Sequence, residues 1–250
     1  MVFENRLCFV SGAARKKGNG RAIALKFAES GADVAVGDIL YEDLQAVADE
    51  IRALGRRSLA VRMDLTKKEE VAEGFDRIRK DLGTVDILVN NAAIMTNMAP
   101  IRKMTLEAWE REISVNLTGA FLCIKQVIDG MAEKGWGRII SISSLAAMRG
   151  GFGQCSYAAS KAGLVALTKT LALETARKGI TANAITLGLI ETDAVSDLPE
   201  HVREQLLKKI PVGKAGKPRQ VADLAAFLAS EEAGYITGAN ITLSGGVDLA

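Results

Sequence analysis

Tyr157 and Lys161 stand four residues apart in the run Ser156-Tyr157-Ala158-Ala159-Ser160-Lys161-Ala162-Gly163, and Ser144 lies thirteen residues before the tyrosine. The alanine and leucine content of 157–176 predicts one helix, on which residues i and i+4 share a face and touch. An ammonium beside a phenol favours the phenolate. It draws a group that titrates near ~10 toward the pH at which acid–base catalysis is efficient. Ser144, at the end of the run 138–143, would orient the reacting oxygen. Together the three read as a proton-transfer site. A Tyr-x-x-x-Lys pair by itself is also an ordinary helical surface pair, so its weight depends on what surrounds it.

The elements that must position these residues show as short β-branched runs alternating with longer amphipathic segments. Strands are expected over 7–10, 33–36, 58–62, 85–89, 138–142, 181–185 and 240–243, with helices in the intervals. This repetition predicts an α/β fold: a Rossmann-type doubly wound parallel sheet of about seven strands with helices on both faces. In such a sheet ligands bind outside the carboxyl ends of the strands. Gly12, Asp38, Asp64, Asn91, Ser144 and Gly188 fall at the ends of the first six strands in turn. With no internal repeat and no low-complexity linker, residues 1–250 are expected to form a single dinucleotide-binding and catalytic domain.

After the first strand, Ser11-Gly12-Ala13-Ala14-Arg15-Lys16-Lys17-Gly18-Asn19-Gly20 runs into a helix. Glycines allow a tight turn and close backbone approach, and the free N–H groups of a helix amino terminus attract a pyrophosphate. A P-loop is excluded, because Asn19 follows Gly18 where Lys-Ser or Lys-Thr is needed. Asp38 comes eighteen residues after Gly20, close to the ~20-residue spacing at which an acidic side chain takes the adenosine ribose hydroxyls. Its charge would repel a 2′-phosphate, which favours NAD over NADP. Arg15, Lys16 and Lys17 pull the other way as a basic turn, although such a turn is also commonly just solvated.

Composition narrows the function classes. The formal charge of +2 is spread over mixed signs and aromatic residues are 5% of the chain, so neither a basic footprint nor a stacking platform for nucleic acid is present. A small-molecule partner is expected. No stretch approaches ~18 uninterrupted apolar residues and residues 1–6 lack an apolar signal core, so no membrane association and a cytoplasmic location are expected. Cys8, Cys123 and Cys155 are odd in number and far apart, which argues against a disulfide framework and a metal site. With His201 the only histidine, zinc hydrolysis and a Ser-His-Asp triad drop out almost by counting.

Over nearly its whole length the chain resembles the short-chain dehydrogenase/reductase family. Its Asn-Asn-Ala-Gly segment is matched by Asn90-Asn91-Ala92-Ala93, its catalytic asparagine by Asn116 in Ser114-Val115-Asn116-Leu117-Thr118-Gly119, and its serine, tyrosine and lysine by Ser144, Tyr157 and Lys161. The resemblance implies that the tyrosine exchanges the substrate proton. The lysine lowers the tyrosine's pKa and holds the nicotinamide ribose, the serine polarises the carbonyl, and the asparagine anchors a proton-relay water. It also implies cofactor contacts from Gly12, Arg15, Gly18, Asn19, Gly20, Asp38, Ile39, Asp64, Leu65, Asn91, Ala92, Gly188, Ile190 and Thr192, besides Tyr157 and Lys161. A tetramer built through helices around 107–133 and 157–177 is implied as well, homo-oligomeric or with a different partner subunit.

Three departures touch the cofactor side: the glycine turn is two residues longer than the family's, Ala93 replaces a glycine, and Leu187-Gly188 replaces Pro-Gly. A fourth, Ser244, reads as structural. Residues 191–217 fall where the family carries a substrate lid, with Leu198, Val202, Leu206 and Leu207 available to close an apolar pocket and Lys208, Lys209 and Lys214 toward water. Met95, Met98, Met104 and Met148 are expected in loops flanking that pocket, either meeting a bulky apolar substrate or packing in the core. Arg102 and Arg149 are candidates for the phosphates of a thioester carrier, and Cys155 for a small buried filler. The expected activity is NAD-dependent interconversion of a secondary alcohol and a ketone, with a 3-hydroxyacyl/3-oxoacyl thioester the most attractive substrate and a cyclic or aromatic alcohol or a sugar open. The alternatives are an NADP-dependent 3-oxoacyl reductase and a catalytically silent subunit of a hetero-oligomer.

Overall fold

A computed structural model describes residues 2–96, 98–196 and 199–249. Each expected strand is present, with bounds that move by no more than two residues. The first half of the chain alternates β1 (Leu7–Ser11), α1 (Asn19–Glu29), β2 (Asp33–Asp38), α2 (Tyr41–Ala53), β3 (Ser58–Arg62), α3 (Lys68–Asp81) and β4 (Ile87–Asn90). Then come α4 (Leu106–Ile113), α5 (Gly119–Lys134), β5 (Gly137–Ser144), a short α6 (Ala146–Arg149), the long α7 (Cys155–Thr175) and β6 (Ile180–Leu187). The chain ends with α8 (Asp193–Ser196), α9 (Glu200–Lys208), α10 (Pro218–Ala229) and β7 (Asn240–Leu243).

All seven strands pair in parallel in the order β3-β2-β1-β4-β5-β6-β7. The order reverses between β1 and β4, and at such a switch point the loops diverge and leave a crevice beyond the carboxyl ends. Side chains alternate across the strands. Cys8 and Val10 join Ile23, Leu44 and Val221 of α1, α2 and α10 in one core layer, while Leu7 and Phe9 join Val71, Cys123 and Leu171 of α3, α5 and α7 in the other. Coverage on both faces explains why the central strands β1, β4 and β5 are buried at nearly every position.

Between α4 and α5 the helix does not break; residues Ser114–Thr118 widen into a π turn. Such bulges displace side chains from the regular helical ladder and recur at functional sites. Asn116 is at the centre of this one.

Candidate active site

β5 delivers Ser144 to the edge of the sheet, and α7 starts close enough to place Tyr157 over it. The tyrosine is half-buried and hydrogen-bonds with Ser144. Lys161, one turn on, is 2% exposed, and its Nζ lies 5.9 Å from the centre of the Tyr157 ring. The helix that brings the pair together runs Cys155–Thr175 rather than over 157–176. Ser143 Oγ donates to the Lys161 carbonyl at 3.1 Å and ties α7 to β5.

One expectation is corrected. The Lys161 ammonium donates its hydrogen bond to the Ile142 carbonyl at 2.8 Å. An ammonium without water must find an acceptor, and the strand carbonyl is the one within reach. Burial pulls this lysine from 10.5 down to about 8. The Tyr157 phenol is pushed up by burial, pulled back by its hydrogen bond with Ser144, and pushed up again by the negative charge of Glu112. In this state of the site its pKa therefore stands above the ordinary value.

Asn116 is 1% exposed and fully engaged. Its Oδ1 accepts from Ile94 N–H at 2.8 Å, while its Nδ2 donates to the Ile94 carbonyl at 2.9 Å and to Ser160 Oγ at 3.1 Å. Ser160 in turn donates to the Tyr157 carbonyl at 2.7 Å. The asparagine thus links the loop after β4 to the helix that carries the tyrosine.

The other half of the crevice is made largely of backbone. Gly12 has φ +69°, and a Cβ there would lie 2.6 Å from Ala92 Cα; a Cβ on Gly20 would collide with the Gly12 carbonyl. Both positions admit only glycine. Gly18 begins α1 in an extended conformation with no side-chain cap, no acidic residue occupies the first turn, and Asn19 Oδ1 is buried without a partner. A helix start of this kind fits an anionic phosphate group. The two-residue extension is taken up in the exposed turn Arg15-Lys16-Lys17, which Gly18 N–H closes onto the Arg15 carbonyl at 2.9 Å. Lys17 N–H reaches Asp193 Oδ2 at 3.2 Å, so this turn touches α8.

Asp38 stands at the end of β2 with Oδ2 accepting from Ala14 N–H and Oδ1 from Leu40 N–H, each at 3.1 Å. Ile39 beside it is 57% exposed. Asp64 Oδ1 accepts from the N–H and hydroxyl of Thr66. Asn91 Nδ2 is spent on the Ser11 and Gly12 carbonyls, at 2.9 Å each, and braces the glycine turn with Ala92, whose N–H donates to Ser11 Oγ. Gly188 packs against Ser244, where a Cβ would come within 2.8 Å of the Ser244 Cα. Thr192 is half-buried, its N–H on the Ile190 carbonyl at 2.8 Å.

Two side chains turn away from the crevice. Leu65 packs in the core against Gly119, and Ile190 is buried against Gly216, so only their backbones remain to face a ligand. Three smaller expectations also change. Met148 belongs to α6 rather than a loop, Met95, Met98 and Met148 are exposed rather than core, and Cys155 is half-buried at the start of α7. Arg149 donates to the Val247 carbonyl at 2.9 Å, while Arg102 is exposed. Ser244 bonds Asp248 and accepts from Gly246 N–H, a structural role. In the segment 191–217, Val202, Leu206 and Leu207 are half-buried and Lys208, Lys209 and Lys214 exposed; Leu198 lies outside the described residues. Among the described residues no helix is long and apolar enough to cross a membrane.

Sequence reasoning missed Glu112. It is 1% exposed and accepts from Thr96 N–H and from Ser156 Oγ, both at 2.7 Å. Its spacing of four from Asn116 was the available signal, because on one helix that places both side chains on one face.

The chain is similar to proteins of known name over almost its whole length. A family model described as enoyl-(acyl carrier protein) reductase matches residues 12–248. The 3-oxoacyl-[acyl-carrier-protein] reductase of Thermotoga maritima is 39% identical over 247 residues, 99% of each chain. The acetoacetyl-CoA reductase of Cupriavidus necator is 38% identical over 245 residues, 98% of each. The (2S)-[(R)-hydroxy(phenyl)methyl]succinyl-CoA dehydrogenase subunit of Thauera aromatica is 40% identical over 249 residues, 100% of this chain and 99% of the other.

Proposed function

The chain belongs to the short-chain dehydrogenase/reductase family, and we propose that it interconverts a 3-oxoacyl and a 3-hydroxyacyl thioester with NAD as its cofactor. The observation that carries this reading is the joining of Asn116, Ser144, Tyr157 and Lys161 at one crevice edge, Asn116 and Lys161 each held by a backbone carbonyl and Ser144 and Tyr157 by one another. The names of three relatives, two of them reductases of 3-oxoacyl thioesters and one a dehydrogenase of an acyl-CoA, supply the substrate class.

Tyr157 is the proton donor in reduction and the acceptor in oxidation. Ser144 holds the substrate oxygen beside it, and the two hydroxyls meet the alkoxide charge that develops as the carbonyl is reduced. Lys161 sets a positive charge behind the phenol, and Asn116 keeps the loop after β4 in register with α7. Gly12, Gly18, Asn19, Gly20, Asp38, Asp64, Asn91, Ala92, Gly188 and Thr192 would hold the dinucleotide, with Arg15, Ile39, Leu65 and Ile190 at its margins. When bound, the nicotinamide supplies or accepts the hydride.

NAD is favoured by Asp38, whose carboxylate is fixed by two backbone N–H groups at the end of β2. The exposed Arg15–Lys17 turn favours NADP, the second reading. We further assign residues 191–217 to a substrate lid on the single domain, and expect a cytoplasmic oligomer, a tetramer through α4–α5 and α7. Acetoacetyl-CoA offered with NADH and, separately, NADPH tests the whole reading. Thioester-dependent oxidation of NADH is the expected result. Faster oxidation of NADPH would transfer the assignment to NADP, and turnover of a cyclic ketone but not of the thioester would reject the substrate class. Failure of the folded protein to bind either nucleotide would favour a silent subunit.

A further inference from the structure

A buried carboxylate costs several kcal/mol unless it is well partnered. Glu112 has partners for both oxygens, and their arrangement copies that of Asn116 one turn away. Asn116 joins Ile94 of the loop to Ser160 of α7, and Glu112 joins Thr96 of the loop to Ser156 of α7. The spacing is four on both helices, so the two clamps lie side by side. They differ in charge: the inner clamp is neutral and the outer one carries a carboxylate, bonded to the residue immediately before Tyr157.

We propose that Glu112 keeps the Tyr157 phenol in its proton-donating form and thereby sets the upper pH limit of ketone reduction at this site. The inference rests on Tyr157 being the acid. In that step the phenol O–H bond breaks and its proton joins the substrate oxygen as the carbonyl carbon gains the hydride. Negative charge nearby disfavours the phenolate, and Glu112 acts on Tyr157 in that sense. Among the described residues the charges facing the phenol are few. α4 contributes Glu112, with its Glu107, Glu110 and Arg111 exposed. α7 contributes Lys161, whose ammonium is bonded to the Ile142 carbonyl. β5 ends in the neutral Ser144, residues 91–96 carry no ionisable side chain, and Arg149 of α6 is turned to the Val247 carbonyl.

Glu112→Gln isolates the charge. The amide oxygen can still accept from Thr96 N–H, and the Ser156 hydroxyl can rotate to accept from the amide N–H. Ser156→Ala is the converse variant, removing a contact and keeping the charge. Phenolate absorbance, titrated with pH in each background and corrected by subtracting the same protein carrying Tyr157→Phe, reads Tyr157 apart from Tyr41 and Tyr235. In Glu112→Gln the midpoint is expected to fall, and the alkaline limb of ketone reduction to move with it. Ser156→Ala should leave the midpoint in place. An unchanged midpoint in Glu112→Gln, or an equal fall in both variants, overturns the proposal. Should Glu112→Gln not fold, Glu112→Met removes the same charge and is read identically. Full activity of Tyr157→Phe would instead refute the tyrosine's role, which the absorbance titration does not depend on.

Discussion

The two halves of the crevice are built by different means. Beside β1 to β3, position is set by backbone: glycines in contact, a helix start without a side-chain cap, and a carboxylate gripping two N–H groups. Beside β4 to β6, it is set by side chains that are almost wholly buried, Asn116, Glu112 and Lys161 among them. The first half has room to vary. Its two extra residues go outward into solvent while Gly20 still packs against Gly12. In the second half, truncating Asn116 or Glu112 would orphan the polar partners packed against it, at about 1–3 kcal/mol each. Chemistry should therefore respond to substitution steeply, and cofactor choice by degrees.

The steepest response is expected at Tyr157. Tyr157→Phe deletes one oxygen and leaves the ring against Lys161, so turnover should fall by several orders of magnitude while nucleotide affinity changes little. Single-turnover kinetics alongside a nucleotide titration separate the two effects. A near-normal rate would remove the phenol from the chemistry and erase the contrast between the halves.

Lys161 gives a response in stability. Its pKa is about 8 when folded and the ordinary 10.5 when unfolded, so between those values the unfolded chain binds more protons and stability rises with pH. Below about pH 8 the full cost of burying the ammonium bears on the native state. At about 1.4 kcal/mol per pH unit, that cost is on the order of 3 kcal/mol. Lys161→Met removes this dependence. The stability difference between wild type and variant, from denaturant unfolding, should move in favour of the wild type by up to that amount as pH rises from 8 to 10.5, while the variant is inactive throughout. A difference independent of pH would mean that the ammonium is hydrated in solution.

The same contrast decided what could be read from the sequence. Backbone-built features leave local marks: glycine at fixed offsets, an acidic residue closing a β-branched run, period-two alternation. The seven strands and the residues at their carboxyl ends were therefore legible. Ser144, Tyr157 and Lys161 were legible because strand and helix spacing brings them together. The partner of the Lys161 ammonium was not, since Ile142 lies nineteen residues away and only the docking of α7 on β5 makes it the nearest acceptor. Glu112 was passed over because a glutamate on an amphipathic helix usually faces water; here α7 and the loop after β4 close over it. Leu65 and Ile190 carried motif positions, but which way a side chain turns at a strand's end depends on packing such as that of Gly119 and Gly216.

The mildest effect, and the most discriminating, belongs to Asp38. Its carboxylate both braces the turn, through Ala14 and Leu40, and presents charge to the place where an adenosine ribose would lie. Asp38→Asn retains an acceptor for one of those N–H groups and removes the charge, whereas Asp38→Ala removes both. Two unit charges at ~4 Å interact by about 4 kcal/mol at an effective dielectric of ~20, and solvent at the half-buried end of β2 reduces this further. A shift of about 10- to 100-fold in the ratio of kcat/KM for NADH over NADPH is therefore expected in Asp38→Asn, with little further change in Asp38→Ala. If only the alanine variant shifts the ratio, the bracing matters and the charge does not. If neither does, selection lies in Arg15, Lys16 and Lys17, and the backbone-built half would owe its specificity to the exposed turn that the two extra residues created.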